Sequence, residues 1–225
     1  LSMKRVAALF FAIVFLPLFL MGQTAPSFGI YGGGSVPLGD FASTDADNDQ
    51  SGFAKTGFLV GGEFVAPLGM LEGLGWVTSL NFAMHGVETD FGDLGGNITD
   101  VSVGSWMVIT PVTGLRLTTP LDGGTDIYAQ GQVGLLYGRS PEVEGSFSFG
   151  GFTQNVTLDP ESAMAFGYVF GAGMHLQEMF HVGIRVLGGS PEYTFEFDDP
   201  LGGDPITIDQ KNPVSTFQIL AGLRF

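Results

Sequence analysis

The chain has 225 residues, with 36 glycines, 21 phenylalanines and a charged fraction of only 14%. Eight basic residues against 23 acidic ones leave a net charge of −15, which excludes nucleic acid as a partner, since phosphate binding needs a basic surface. Cysteine is absent, so disulfides, thiolate metal sites, cysteine nucleophiles and lipoprotein anchoring are excluded together.

The chain opens on a basic pair, Lys4 and Arg5, followed by an apolar run over residues 6–21 and the small-residue exit Gly22-Gln23-Thr24-Ala25. That order reads as a secretory signal peptide over residues 1–25, cleaved near 22–25. Pro17 inside the run and the lack of stop-transfer charges argue against a retained anchor helix. Leu1 and Ser2, ahead of Met3, read as an upstream extension of the frame. No later apolar run approaches the roughly 18–20 residues of a membrane helix, so any membrane crossing falls to strands. Residues 26–225 are therefore read as one β domain.

Period-two alternation recurs through this domain and marks strands with one apolar and one mixed face. The first strand, 27–37, places Phe28, Ile30 and Val36 on one face and Tyr31 and Ser35 on the other. A polar stretch with Asp40, Asp45, Asp47 and Asp49 leads to the second, 55–66, where Phe58, Val60, Phe64 and Ala66 oppose Leu59 and Glu63. The third, 76–87, sets Trp76, Leu80, Phe82 and Met84 against Ser79, Asn81 and His85. After an acidic loop the fourth, 101–118, carries Met107, Ile109, Leu115 and Leu117 opposite Arg116; Pro111 inside it is read as a bulge. Pro120, Asp122, Gly123 and Gly124 form a tight turn into the fifth strand, 126–138.

A long connection, in which Ser146-Phe147-Ser148-Phe149 also alternates, precedes the sixth strand, 164–176, with Phe166, Tyr168, Phe170 and Met174 against glycines and His175. A short turn at Gln177 and Glu178 leads to the seventh, 180–188, where Phe180, Val182, Ile184 and Val186 oppose His181 and Arg185. The closing strand, 214–225, alternates Phe217, Ile219, Ala221, Leu223 and Phe225 with Gln218, Leu220, Gly222 and Arg224. Connections are long after strands 1, 3, 5 and 7 and short after 2, 4 and 6, and most acids fall in the long ones. This is the asymmetry of an up-and-down transmembrane barrel with short periplasmic turns and long outer loops.

Ser35-Val36-Pro37-Leu38-Gly39-Asp40-Phe41, the run Lys55-Thr56-Gly57-Phe58 leading to Gly61-Gly62-Glu63-Phe64, and the closing Gly222-Leu223-Arg224-Phe225 resemble the small eight-stranded outer-membrane barrels of Gram-negative bacteria, the porin-like, OmpA/OmpX-like family. The resemblance covers nearly all of residues 26–225. It implies an all-β, eight-stranded antiparallel up-and-down transmembrane barrel in the bacterial outer membrane. The terminal strand resembles the signal read by the barrel-assembly machinery, which would fall on Phe217, Ile219, Gly222, Leu223 and Phe225; Leu220 stands where such signals usually carry glycine.

In such a barrel charges must avoid lipid. Glu63, Arg116, Arg185 and Arg224 share the inward parity, as do His85, His175 and His181, so an internal ionic network and a plugged lumen are expected. Aromatic girdles are expected at Phe64, Trp76, Phe180 and Phe225 on the periplasmic side and at Phe58, Tyr137, Tyr168 and Phe217 on the outer side. Asp45-x-Asp47-x-Asp49 begins like a calcium loop but has Gln50 and Thr56 where glycine and glutamate belong, and is read as a solvated acidic loop. No metal, cofactor or catalytic residue is expected. The function expected is that of a non-enzymatic, monomeric barrel with a structural or surface-interaction role. Its partners are outer-membrane lipid and lipopolysaccharide, the assembly machinery, and an extracellular ligand of unidentified kind. The alternatives are a lipid-modifying enzyme, for which only His85 lies near the outer rim, and a narrow pore for small molecules.

Overall fold

Strands that are apolar on one face along their whole length cannot hide that face by stacking when no second layer exists, and here the sheet rolls up with that face outward. The structure is a computed structural model that describes residues 26–45, 47–69, 71–88, 98–149, 152–177, 179–197 and 206–225. The expected signal peptide lies outside the described residues. In chain order the strands are β1 (Ser27–Pro37), β2 (Gly57–Pro67), β3 (Leu74–His85), β4 (Ile98–Val103), β5 (Trp106–Leu121), β6 (Thr125–Arg139), β7 (Val143–Phe149), β8 (Phe152–Leu158), β9 (Ser162–Leu176), β10 (Phe180–Gly189), β11 (Glu192–Phe197), β12 (Ile206–Lys211) and β13 (Val214–Arg224).

Eight of them form a closed antiparallel barrel in the order β1-β13-β10-β9-β6-β5-β3-β2. Closure leaves no edge strand, so each strand of the wall is paired on both sides, as hydrocarbon demands. The seam joins the ends of the domain: Phe225 donates to the Phe28 carbonyl at 2.7 Å and accepts from the Phe28 amide at 3.0 Å. At the short-turn side, Gly123 and Gly124 in the three-residue loop between Leu121 and Thr125 both take positive φ (79° and 74°), a conformation open to glycine at little cost.

Two expectations change. The fourth strand does not run unbroken from residue 101, because Ile98–Val103 leaves the barrel to pair with β7. Nor does Pro111 cause a bulge. The β5–β6 ladder skips Thr110 and Pro111 and resumes with its register unchanged, Ile109 opposite Tyr137 and Val112 opposite Gly134. Proline here interrupts the ladder on one side, where it lacks an N–H, while its pairing with Leu80 of β3 persists. The long loops also hold more order than the sequence indicated: β4, β7 and β8 form one small sheet, and β11 and β12 a separate hairpin.

The solvent relation is inverted relative to a water-soluble protein. Phe170 is 60% exposed and Ile219 57%, whereas Arg116 and Arg185 are each 2% exposed. The outward face is thus a belt fit only for lipid, and the lumen holds the charges. Replacing Ile184, an outward residue midway along β10, by arginine is expected to cost about 2–4 kcal/mol. Urea titration of the barrel folded into lipid vesicles measures that loss.

Candidate functional site

Parity brings Glu63, Arg116, Arg185, His175 and His181 to the lumen, and the stagger of the strands decides which of them meet. Glu63 accepts the fork of Arg116, Nη1 to Oε1 at 2.7 Å and Nη2 to Oε2 beside it, with both side chains buried. Arg116 Nε donates to Gln130 Oε1 at 2.9 Å, and the chain continues through Gln132 to Ser79. The Arg116 guanidinium also lies 4.2 Å from the centre of the Tyr128 ring. The Tyr128 hydroxyl meets His181 Nε2, and His181 faces His175 across the β9–β10 ladder with ring centroids 5.4 Å apart.

Arg185 belongs to a second cluster. Its guanidinium lies 4.4 Å from the Tyr31 ring centre and donates from Nη1 to the Tyr31 hydroxyl at 3.0 Å. Tyr31 in turn donates to Asn81 Oδ1 at 2.7 Å. The stem of Arg185 crosses Gly171 so closely that a Cβ there would stand 2.6 Å from its Cγ. Arg224 joins neither cluster. It is partly exposed at the short-turn rim and lies 3.7 Å from Asp126. The two arginines that meet Glu63 and Tyr31 therefore sit mid-barrel, and the third guards the rim.

Above this polar half the lumen turns apolar. Leu59, Ala83, Val108, Leu136, Val169 and Leu187 form one buried cluster with Phe41, Trp106 and Tyr193 at the long-loop end. Phe41 arrives on a single 3₁₀ turn, Gly39–Ala42, and packs against His85 (5.2 Å) and Trp106 (5.6 Å). Trp106 is anchored by Nε1 donating to the Gly52 carbonyl at 2.8 Å and touches Tyr193. Periodicity gives no reason to single out these three aromatics. A signal for the apolar zone is nonetheless present: Leu59, Leu136 and Leu187 are apolar on the face that lower down carries charge.

His85 is fully buried, with Nδ1 against the Lys55 carbonyl (3.0 Å) and Nε2 against Ser35 Oγ (3.3 Å). The acidic loop uses its side chains on its own backbone, with Asp45 Oδ1 accepting from the Asp47 amide and Asn48 Oδ1 from the Gln50 amide. Among the described residues, Glu63, His175 and His181 offer ligand atoms within 4.8 Å of one another. Both oxygens of Glu63 are held by Arg116, however, and two guanidinium groups in the same lumen oppose a cation. Phe64, Trp76, Phe180 and Phe225 lie toward the short-turn end of the barrel, and Phe58, Tyr137, Tyr168 and Phe217 toward the long-loop end. Of the terminal strand, Phe217, Ile219, Leu223 and Phe225 take the outward parity. Gly222 faces inward beneath Tyr31.

No protein-family model and no curated protein matches the chain. Solved structures do. The outer membrane protein OprG of Pseudomonas aeruginosa matches with 16% identity over 91% of this chain and 98% of its own, at a TM-score of 0.51. A major outer membrane protein of Thermus thermophilus matches at 13% identity over 90% and 100%, with a TM-score of 0.48. The attachment invasion locus protein Ail of Yersinia pestis matches at 15% over 90% and 100%, with a TM-score of 0.44. At these identities the likeness to OprG is one of fold, and the fold is that of the small eight-stranded outer-membrane barrels.

Two outcomes are expected. Arg116→Met strands a buried carboxylate and destabilises the barrel by about 3–5 kcal/mol, whereas Glu63→Gln with Arg116→Met costs less than either change alone, read by urea unfolding of a double-mutant cycle. At the cap, burial pushes the Tyr193 phenol well above its ordinary value. Its neutral form is thus favoured by folding, so stability is full below about pH 10, the unfolded phenol's pKa, and falls as pH rises beyond it. Tyr193→Phe removes that slope, which an alkaline titration of Trp106 fluorescence in a Trp76→Phe background records.

Proposed function

We propose that this chain is an integral barrel of the bacterial outer membrane whose lumen does not conduct, and which works through what its long loops present at the surface. The reading follows from the inward side chains taken together. A polar lower half, tied across the barrel by Glu63–Arg116 and Arg185–Tyr31, lies beneath an apolar upper half capped by Phe41, Trp106 and Tyr193. A conducting pore of eight strands would need those positions open, and such a cylinder is only wide enough for side chains to fill it.

The surface role is supported by the loops themselves. Two separate β-units, β4-β7-β8 and β11-β12, rise beyond the barrel where the acids concentrate, and Gln210 of β12 donates to the Asp49 carbonyl at 2.7 Å, joining distant loops. An ordered acidic platform suits a ligand-contact or envelope-structural role. Anionic lipopolysaccharide would be met there through bridging cations rather than directly. Delivery would use the signal peptide over residues 1–25 and the terminal strand with Phe217, Ile219, Gly222, Leu223 and Phe225, with the monomeric barrel as the final state. An enzymatic reading is less favoured, since His85 is walled off by Phe41 and has both ring nitrogens engaged.

Planar-bilayer recording of the purified, folded barrel is expected to show no stable openings of nanosiemens size. Openings of that size that survive trimming of the loops would overturn the closed-lumen reading.

A further inference from the structure

The buried lumen is not electrically balanced. Among the described residues its buried ionisable side chains comprise one acid, Glu63, and two arginines, Arg116 and Arg185, besides histidines. Glu63 gives both oxygens to Arg116. Arg224 is neutralised elsewhere, at the rim, by Asp126. One full positive charge therefore remains inside, on Arg185.

Its hydrogen bonds tell the same story. Among the described residues only Nη1 finds a partner, Tyr31, while Nε and Nη2 are buried without one. Across the ladder from Arg185 stands Gln218, whose Oε1 is likewise buried and unpartnered while Nε2 donates to Thr216 Oγ1 at 3.2 Å. A guanidinium with a fixed edge of two free N–H groups, out of bulk water, is costly to leave bare. Turning the Gln218 amide over lets the Thr216 hydroxyl donate to Oε1, since a hydroxyl serves either way, and puts an NH₂ donor where the unpartnered Oε1 stood. At their unpartnered positions the two cross-ladder side chains then offer donors and no acceptor.

We propose that Arg185 and Gln218 form an internal binding site for a small monovalent anion of halide size. One charge is required because one is in excess. A small ion is required because the lumen above is filled by the apolar cluster and Tyr31 covers one face of the guanidinium. A neutral water would satisfy the geometry by accepting from Arg185 and donating to Gln218 Oε1, but it would leave the charge uncompensated. This site is independent of what the loops do and of whether ions cross the barrel.

The test uses the full folded barrel in detergent micelles. Its urea midpoint is measured at constant ionic strength with sodium chloride or bromide replaced stepwise by sodium gluconate, whose anion is too large to enter. A saturable upward shift with halide is expected in the wild type. Arg185→Gln should lose that shift, and so should Gln218→Glu, which supplies the missing carboxylate from the wall and raises the midpoint in gluconate. Crystals of the wild type grown in bromide should show an anomalous peak within hydrogen-bonding distance of Arg185 Nε and Nη2. Equal halide responses in the wild type and Gln218→Glu would overturn the site even if Arg185→Gln failed to fold. Bromide-grown crystals with only an ordered water between Arg185 and Gln218 would overturn it as well.

Discussion

Backbone hydrogen bonding in hydrocarbon is the constraint from which the rest of this structure follows. An unpaired amide or carbonyl in lipid costs several kcal/mol, so a spanning sheet must close, and the β1–β13 seam with Phe225 bonded to Phe28 is where closure is completed. Once the sheet is closed, each strand has one face toward lipid and one toward the axis. Charges are then confined to the axis, and the polar cluster around Glu63 and Tyr31 is the consequence. Pro111 shows how strict the constraint is: the ladder is interrupted where the amide is missing, yet the register does not slip, because a one-residue slip would turn Arg116 toward the acyl chains.

Concentrating charge in a narrow cylinder creates its own demands. A buried ion pair is weak evidence of net stability, but a pair with one member missing is strongly unfavourable. The bidentate geometry of Glu63 with Arg116, and the sharing of Arg116 with Gln130, meet that demand for one arginine. Stacking of Arg185 on Tyr31 meets it in part for the other, since a ring face attracts a cation without carrying a negative charge. The lumen is therefore built as two arginine–tyrosine contacts with one carboxylate between them, and the charge left over points to something small and anionic.

The division of the lumen into polar and apolar halves separates two tasks. The lower half fixes strands to one another through directional bonds. The upper half excludes water with Leu59, Leu136 and Leu187 and ends in an edge-to-face cluster of Phe41, Trp106 and Tyr193 drawn from three different segments. That cluster gives the loops a floor. Beyond it β4 can leave the wall to pair with β7, because outside the bilayer water satisfies any backbone group the sheets leave open.

The number of barrel strands, their order and the side chains that face the axis were all legible in the linear chain, since period two is a local property that lipid enforces residue by residue. Glu63, Arg116 and Arg185 could be placed inside, and Phe58, Phe170 and Ile219 outside, from parity alone. Parity says nothing of height or of angle around the barrel. It took the stagger of closed strands to bring Arg116 to Glu63 and Arg185 to Tyr31, and to leave Arg224 at the rim with Asp126. The same holds for Phe41, Trp106 and Tyr193, which lie far apart in the chain. Their meeting is a long-range packing event, so no local pattern announced it.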